Sequence, residues 1–264
     1  MSSTWERVEL ARHPRRPYAL DYIRRMAPDF LELHGDRLSG DDPALVAGLG
    51  TWRGASVMFF GQQKGRTLRD RVARNYGMMH PDGYRKAIRL AKLAERFRLP
   101  IVSLVDTPGA FPGAAAEERG IATAIAGAIA EWFHVAAPVV AAVIGEGGSG
   151  GALGMAIADR ALILENAIFS VAGPEACASI VWRDAARRVE AAEQLRLTSN
   201  WLLRMGVVDE VVPEPPGGAH ADHEGAAQAL EEAIWRHLEP LIREEPAHLL
   251  PRRYARFRQL AAAL

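Results

Sequence analysis

A glycine-rich segment from Gly145 to Gly151 has the residue types and spacing that most clearly suggest chemistry. It follows a run of apolar residues and precedes an alanine-rich stretch, so it is expected to join a buried strand to a helix. The first backbone N–H groups of a helix have no partners within that helix and point along its axis. Together with the helix dipole they favour bound negative charge. One interpretation is therefore an oxyanion site made of main-chain amides.

The same segment also fits the dinucleotide-binding pattern GxGxxG, through Gly145, Gly147 and Gly150. Glu165 follows at about the distance of 20 residues at which such sites place their ribose-binding acid. That pattern belongs on the first strand of its sheet, whereas here it follows a late apolar run. The position in the chain disfavours this interpretation.

A third pattern, GxSxG, is centred on Ser149 and is typical of hydrolase nucleophiles. Asp209 and His220 follow it in the order serine, aspartate, histidine. The glycines before Ser149 make the loop more pliant than a strained nucleophile turn, and both partners can be ordinary loop residues. A serine hydrolase stays open as an alternative function, and a purely structural glycine turn is the remaining interpretation.

A second loop rich in glycine and proline, Asp106 to Gly113, ends the preceding apolar run. Ligands of α/β sheets bind beside the carboxyl ends of strands, where neighbouring loops meet. We therefore expect the backbone near Gly109 and Ala110 to form a second wall of the same site.

The surrounding elements predict an α/β fold. Continuous apolar runs at 99–105, 137–144 and 161–164 alternate with helical segments, which favours parallel strands buried on both faces. The other expected elements are a helix over 18–33 interrupted at Pro28, a hairpin over 44–62, a helix over 83–97, helices over 175–205, a strand over 207–212 and a terminal helical region. We expect one domain over 1–264, with a basic, solvated arm at 1–17 and a helical appendage at 224–264.

Composition limits the function classes. The 264 residues include 32 basic and 32 acidic side chains, so no net charge favours nucleic acid or an anionic membrane. Cys177 is the only cysteine, which excludes an intrachain disulfide framework and a multi-cysteine zinc site. The apolar stretch 136–144 is shorter than the roughly 20 residues that span a bilayer, and no secretory signal pattern is present. A cytoplasmic protein is expected.

Several long motifs together resemble one family, the alpha subunits of the bacterial acetyl-CoA carboxylase carboxyltransferase. They occur in family order over most of the chain and are more specific than any single glycine pattern. The matching segments are RPYALDYIRRM, HGDR, GQQKGR, RNYGM, PDGYRKAIRLAKLAERF, DTPGAFPG, AEERG, VIGEGGSGGAL, SVAGPEACASIVW and VPEPPGGAH.

This resemblance implies a crotonase-like fold, a spiral of ββα units with flanking N- and C-terminal helices. It implies transfer of a carboxyl group from carboxybiotin to acetyl-CoA, giving malonyl-CoA for fatty acid biosynthesis. Biotin would arrive on a biotin carboxyl carrier protein, loaded by a separate biotin carboxylase, and would not be attached to this chain. The implied partner is a beta subunit that carries a zinc ribbon, in an alpha2beta2 assembly, and no metal is expected on this chain.

The resemblance also implies roles for individual residues. The N–H groups of Gly150 and Gly151 would hold the oxyanion on the carboxybiotin side. The expected substrate-binding residues are Gly109, Ala110, Gly147, Gly148, Lys64 and Arg66. Lys64 and Arg66 would meet a phosphate of coenzyme A or the biotin carboxylate, with a surface ion pair as the alternative for both. A paralogue for another acyl-CoA and a subunit kept only for assembly remain alternative functions.

Overall fold

The computed structural model describes residues 3–262, which are built around one eight-stranded sheet. The strands are β1 (Leu31–Glu32), β2 (Leu45–Trp52), β3 (Ala55–Gln62), β4 (Ile101–Thr107), β5 (Val139–Gly148), β6 (Arg160–Leu164), β7 (Ile168–Ser170) and β8 (Glu210–Val212). Their order in the sheet is β1-β2-β3-β4-β5-β6-β8, and β7 pairs with β5.

Helices surround this sheet and connect its strands. They are α1 (Thr4–Ala11), α2 (Ala19–Met26), α3 (Leu68–Ala73), α4 (Pro81–Arg96), α5 (Ala114–Glu118), α6 (Ile121–His134), α7 (Ser149–Ala156), α8 (Pro174–Trp182), α9 (Arg188–Gln194), α10 (Ser199–Arg204), α11 (His223–Ile242) and α12 (Pro246–Ala262). Within residues 3–262, no helix combines the length and the apolar character needed to cross a bilayer.

The central strands are parallel, as the apolar runs predict. β3, β4, β5, β6 and β8 pair in parallel, while β2 and β3 form the expected antiparallel hairpin. Arg53 and Gly54 both have positive φ, 49° and 82°, at the tip of this hairpin. Positive φ at both central residues is the geometry of a type I′ turn, which matches the twist of the strands. The α/β prediction is confirmed.

β5 differs from the prediction because it continues to Gly148. Val140–Val143 pairs with β6, and Glu146–Gly148 pairs with β7, a strand that the sequence pattern did not predict. All ten residues of β5 are buried. The segment Gly145–Gly148 is therefore strand, since β7 supplies it with a hydrogen-bonding partner, and the turn is confined to the next residues.

The helix expected over 18–33 is shorter than predicted. α2 ends at Met26, and Leu31–Glu32 forms β1 against β2. Pro28 explains the difference, because a proline lacks the N–H that a continuing helix needs and disfavours helical geometry in the residue before it. The helix expected over 83–97 is confirmed as α4.

The prediction of a solvated arm at 1–17 is wrong for residues 3–17, and residues 1 and 2 lie outside the described residues. Ser3 and Glu6 form a capping box that starts α1, and Val8 packs in a small buried apolar cluster with Ala192 of α9 and Ile168 of β7. The side chain of Arg16 is 1% exposed and pairs with Glu214, which is 0% exposed. One arginine of the basic run, Arg16, is therefore buried, and its ion pair with Glu214 attaches the N-terminal segment to the rest of the protein.

The two C-terminal helices also belong to the packed body. Leu230, Ile234 and Leu238 of α11 lie in the main apolar core. Arg253 of α12 is fully buried and pairs with Asp159, which precedes β6. Through these contacts α11 packs against β5, β6 and β8, and α12 packs against α6.

Candidate active site at the carboxyl ends of β3, β4 and β5

The turn after β5 has the backbone geometry of a site that binds through amides. Ser149 begins α7 with a φ of 54° and is exposed. This left-handed conformation is strained for a residue other than glycine, so the turn is not the pliant loop that its composition suggested. Across residues 3–262, the N–H groups of Gly150 and Gly151 form no backbone hydrogen bond outside their own helix. Those two donors are left available at the start of α7.

The carbonyl of Gly151 fixes this turn from behind. It accepts hydrogen bonds from Nε2 of Gln62, at 2.8 Å, and from the hydroxyl of Tyr84, at 3.4 Å. Gln62 ends β3 and Tyr84 lies in α4, and both side chains are buried. Two other elements therefore set the direction in which the peptide groups of the turn point.

The loop after β4 lies directly against the glycine turn. If Gly148 carried a Cβ, that atom would lie 2.0 Å from the carbonyl oxygen of Pro108. A Cβ on Gly151 would lie 2.3 Å from the carbonyl carbon of Gly109. Only glycine allows this approach, so Gly148 and Gly151 have a structural role as well. A Cβ at Gly109 would meet no atom within 4 Å, which leaves one side of this wall open. The two loops meet as the sequence suggested, with Ala110 half-buried beside them.

A set of paired charges lies beside the turn, and we call it the ion-pair cluster: Arg12, Lys64, Asp106, Glu146 and Glu175. Nζ of Lys64 is 2.8 Å from a carboxylate oxygen of both Asp106 and Glu146. Arg12 bridges Glu146, at 2.7 Å, and Glu175, at 2.6 Å. The N–H of Glu146 donates to Asp106 at 2.9 Å. These bonds join the carboxyl ends of β3, β4 and β5 to the N-terminal segment.

Burial and pairing set the protonation states of the ion-pair cluster. Burial opposes charge on Glu146, but Lys64 and Arg12 outweigh it and lower the pKa of Glu146 from 4.5 to about 2. Burial likewise opposes the charge on Lys64, and the two carboxylates outweigh it and raise the pKa of Lys64 above its usual value. Burial raises the pKa of Asp106. Lys64 and Glu146 are therefore both charged at neutral pH, and neither is poised to exchange a proton.

A cleft of about 210 Å³ opens over the ion-pair cluster. Its lining includes Arg12, Tyr18, Lys64, Arg71, Tyr76 and Glu146. A smaller cavity of about 20 Å³ lies on the other side of Arg12 and Glu146, against Gly147 and Gly148. The cleft, which contains both signs of charge, thus reaches β5 at Glu146, and the small cavity reaches it at Gly147 and Gly148.

The structure separates the two cations that the resemblance grouped. Lys64 lies in the cleft, and its side chain is only 14% exposed, so a surface ion pair is the wrong description of it. Arg66 points elsewhere, pairs with Asp21 and lies over the ring of Tyr18. The side chain of Arg66 is 41% exposed, so a surface ion pair does describe it.

The hydrolase triad is not assembled. Asp209 accepts from the N–H of Ala161 near the amino end of β6 and pairs with Arg256, whereas Ser149 follows the carboxyl end of the parallel strand β5. β5 has ten residues, each of which adds about 3.3 Å to its length. Ser149 and Asp209 therefore lie near opposite ends of the parallel strands. His220 instead stacks on His13, with ring centroids 3.7 Å apart.

The dinucleotide interpretation has no support either. The carboxylate of Glu165 accepts from the N–H of Glu214 at 3.3 Å, and its backbone carbonyl accepts from Ser199 at 2.7 Å. Its carboxylate lies 3.9 Å from Arg7 and is 42% exposed.

Arg12, Asp106 and Glu146 are members of the ion-pair cluster that the sequence reasoning missed. One signal was available for two of them, since Asp106 and Glu146 are the acidic residues at the carboxyl ends of neighbouring apolar runs. Nothing in the sequence pointed to Arg12, because it comes from the segment interpreted as a solvated arm.

The parallel sheet places the amide turn after the central strand β5, and comparison with solved structures supports a crotonase-like fold. The chain superposes on a Pseudomonas malonate decarboxylase hetero-tetramer in complex with coenzyme A, with a TM-score of 0.71 and 18% identity, covering 92% of this chain and 98% of that one. It also matches transcarboxylase 12S, with a TM-score of 0.65 and 24% identity, over 84% of this chain and 42% of that one.

Sequence comparison identifies the family. Residues 2–261 match the family of acetyl co-enzyme A carboxylase carboxyltransferase-like proteins, and the chain belongs to it. It is 56% identical to the acetyl-coenzyme A carboxylase carboxyl transferase subunit alpha of Deinococcus radiodurans over 98% of this chain and 82% of that protein. It is 52% identical to the protein of the same name from Thermus thermophilus over 98% of this chain and 83% of that protein.

Proposed function

We propose that this chain is the alpha subunit of a biotin-dependent carboxyltransferase that forms malonyl-CoA from acetyl-CoA in the cytoplasm. It acts with a beta subunit in an alpha2beta2 assembly and receives biotin on a carrier protein. The observation that carries the proposal is the pair of available N–H groups at Gly150 and Gly151 in a chain of this family.

The chemistry needs charge stabilisation rather than a nucleophile. Carboxybiotin supplies the carboxyl group, and negative charge remains on an oxygen when that group departs. The N–H groups of Gly150 and Gly151 are suited to hold this charge, because they are preorganised and their turn is fixed by Gln62 and Tyr84. A site that stabilises charge through backbone amides needs no catalytic triad, and Ser149 has no aspartate and histidine partners of that kind among the residues that the structure describes.

The residues present are compatible with such a ligand. A Cβ at Gly150 would touch only Ile125, at 3.5 Å, so the turn is not filled by its own neighbours at this position. Gly150 is half-buried, whereas Gly151 is buried against the loop after β4. Gly109, Ala110, Gly147 and Gly148 form backbone walls, and Lys64 keeps the strand ends together through its two carboxylate partners.

The test is the substitution Gly150→Val. The added methyl groups stand where the ligand must approach, and we expect turnover of the complex with its beta subunit to fall by about 10²–10³, the typical cost of losing one oxyanion donor. Turnover is measured as malonyl-CoA formed from carboxybiotin and acetyl-CoA.

Gly127→Val is the matched control. Gly127 lies within α6, and its added Cβ would touch only Ile88, at 3.6 Å, so the substitution has a similar steric and helix-propensity cost. It should leave turnover within about twofold of the parent, since it lies outside the site. Equal turnover of the two valine variants would contradict the assignment of the Gly150 N–H. Ester hydrolysis by the parent that is lost on Ser149→Ala would favour the hydrolase instead.

A further inference from the structure

The loop that follows β4 is held in position by one short segment, residues 79–82, which we call the clamp segment. The loop, residues 108–120, joins β4 to α6 and contains only the short helix α5. The peptide group between Gly109 and Ala110 lies against the amide turn, since a Cβ on Gly151 would be 2.4 Å from the nitrogen of Ala110. The position of this loop therefore sets one side of the turn.

The clamp segment contacts the loop at three points. The carbonyl of Met79 accepts from the N–H of Phe111 at 3.2 Å. The ring of His80 stacks on the ring of Phe111, with centroids 4.1 Å apart and an angle of 31° between the planes. The carboxylate of Asp82 pairs with Arg119. The loop is thus held near its start and near its end by residues at the beginning of α4.

His80 joins two parts of the loop through one side chain. In addition to the stack on Phe111, Nδ1 of His80 lies 2.9 Å from Nη2 of Arg119. Because a guanidinium group can only donate, Nδ1 is the acceptor and the ring proton is on Nε2. The ring of Phe111 also covers Gly113, where a Cβ would lie 2.5 Å from Cε1 of the ring. Phe111 is therefore confined between the His80 ring and the backbone of its own loop.

The clamp segment is itself attached to the buried side chains behind the amide turn. Met79 is 0% exposed, and its Sδ accepts from Nε2 of Gln62 at 3.4 Å. The same nitrogen donates to the carbonyl of Gly151. The N–H of His80 donates to Asp42 at 2.7 Å. The loop and the turn therefore share one anchor, and the His80 ring extends from a fixed backbone.

We infer that His80 is a positioning residue of the candidate active site. Its ring holds Phe111, which keeps the preceding peptide group against Gly151. The effect on catalysis rests on the proposed function, whereas the attachment of the loop does not. Because the turn amides are assigned to charge that develops during the reaction, displacement of the loop should lower kcat and change KM little.

Hydrogen exchange of the full chain tests the attachment. His80→Ala should speed exchange of the loop segment 108–113 about three- to tenfold, which corresponds to the loss of one aromatic pair. His80→Phe keeps the stack and should exchange as the parent does. His80→Gln keeps an acceptor for Arg119 without the ring and should exchange as His80→Ala does.

Two features separate a local effect from general loss of structure. His80 precedes α4 at the cap position, but its side chain makes no capping hydrogen bond, so its removal leaves the start of the helix intact. Exchange of α11 is the internal reference, and it should be equal in all variants. His134→Ala is the control, because this exposed histidine lies at the end of α6 and contacts the carbonyl of Ala130 in its own helix. It should leave exchange of 108–113 unchanged.

Kinetics of the complex with the beta subunit test the effect on catalysis. His80→Ala should lower kcat about tenfold, leave KM for acetyl-CoA within about twofold, and be rescued in His80→Phe. Unchanged exchange in His80→Ala, or slow exchange in His80→Gln but not in His80→Phe, overturns the attachment. Faster exchange with unchanged kcat overturns the positioning role. A parent complex without turnover contradicts the proposed function, while the exchange experiment still decides whether His80 holds the loop.

Discussion

Glu146 and Lys64 show how single residues hold the glycine strand end in position. Glu146 directly precedes Gly147 and Gly148, and its carboxylate is held by Lys64 and Arg12 while its N–H donates to Asp106. Removing one member of a buried pair leaves the others uncompensated, which typically costs about 3–5 kcal/mol. The ion-pair cluster therefore fixes the end of β5 through side chains rather than through the glycines themselves.

The stability of this arrangement should depend on pH through Glu146. Its folded pKa of about 2 lies below the usual 4.5, so its contribution is complete above about pH 4.5 and is lost as pH falls towards 2. At pH 7, Glu146→Gln should lower the free energy of unfolding by about 3 kcal/mol, and the difference from the parent should shrink between pH 4.5 and pH 3. Urea unfolding at pH 7, 4 and 3 measures this.

Glu232→Gln is the control for this pH series. Glu232 pairs with Arg53, but its side chain is 57% exposed, so its loss should cost less than about 1 kcal/mol at every pH. A Glu146→Gln deficit that stays constant or grows as pH falls would show that Glu146 is not held as a carboxylate by its partners.

Among the elements, α12 depends on one arginine for its attachment. Arg253 donates to both carboxylate oxygens of Asp159, at 2.9 and 2.7 Å, and to the carbonyls of Trp132, Val135 and Ala137. Both charged side chains are 0% exposed. These bonds join α12 to the end of α6 and to the connections that precede β5 and β6.

Arg253→Met should therefore destabilise the fold strongly. The change leaves Asp159 as a buried, unpaired charge and three carbonyls without a donor, and we expect a loss of about 3–5 kcal/mol in the free energy of unfolding. Arg252→Met is the adjacent control, since Arg252 is 42% exposed in its pair with Glu244 and should cost less than about 1 kcal/mol. Comparable losses in the two variants would refute the anchoring role of Arg253.

For the whole molecule, the distribution of exposed apolar side chains suggests how it meets its partner. Val171, Ile180 and Val181 are 77%, 78% and 59% exposed, in α8 and the residues before it. Gly173 and Pro174, at the start of α8, line the small cavity that also contacts Gly147 and Gly148. Exposed apolar side chains next to a site are typical of an interface, and the beta subunit is the partner that the proposed function provides.

Ile180→Asp should then weaken association with the beta subunit by at least about tenfold, because a charge would have to be desolvated in the contact. Sedimentation equilibrium of the mixed subunits measures the dissociation constant. Leu38→Asp changes a side chain of similar exposure, 77%, outside α8, and should leave association unchanged. If Ile180→Asp associates as the parent does, the face of α8 is not the contact.

The sequence by itself determined the strand and helix pattern around the site. Uninterrupted apolar runs predicted the parallel strands, and helical spacing of apolar residues predicted α4. The dipeptide Arg53-Gly54 between two short apolar runs predicted the hairpin. Such features depend on neighbours a few residues apart, which the sequence shows directly. The same local pattern predicted an amide turn within Gly145–Gly151 and a neighbouring loop near Gly109 and Ala110, whereas the choice of Gly150 and Gly151 followed from the family resemblance.

Only the tertiary structure decided how distant charges pair. Arg16 pairs with Glu214, Arg12 pairs with Glu146, and Arg253 pairs with Asp159. The two residues of each pair are more than ninety positions apart in the chain. Lys64 and Arg66 look equivalent in the sequence but face different surfaces. A long charged side chain is compatible with solvent or with a buried partner, and the free-energy balance between the two depends on which carboxylate the fold brings within reach.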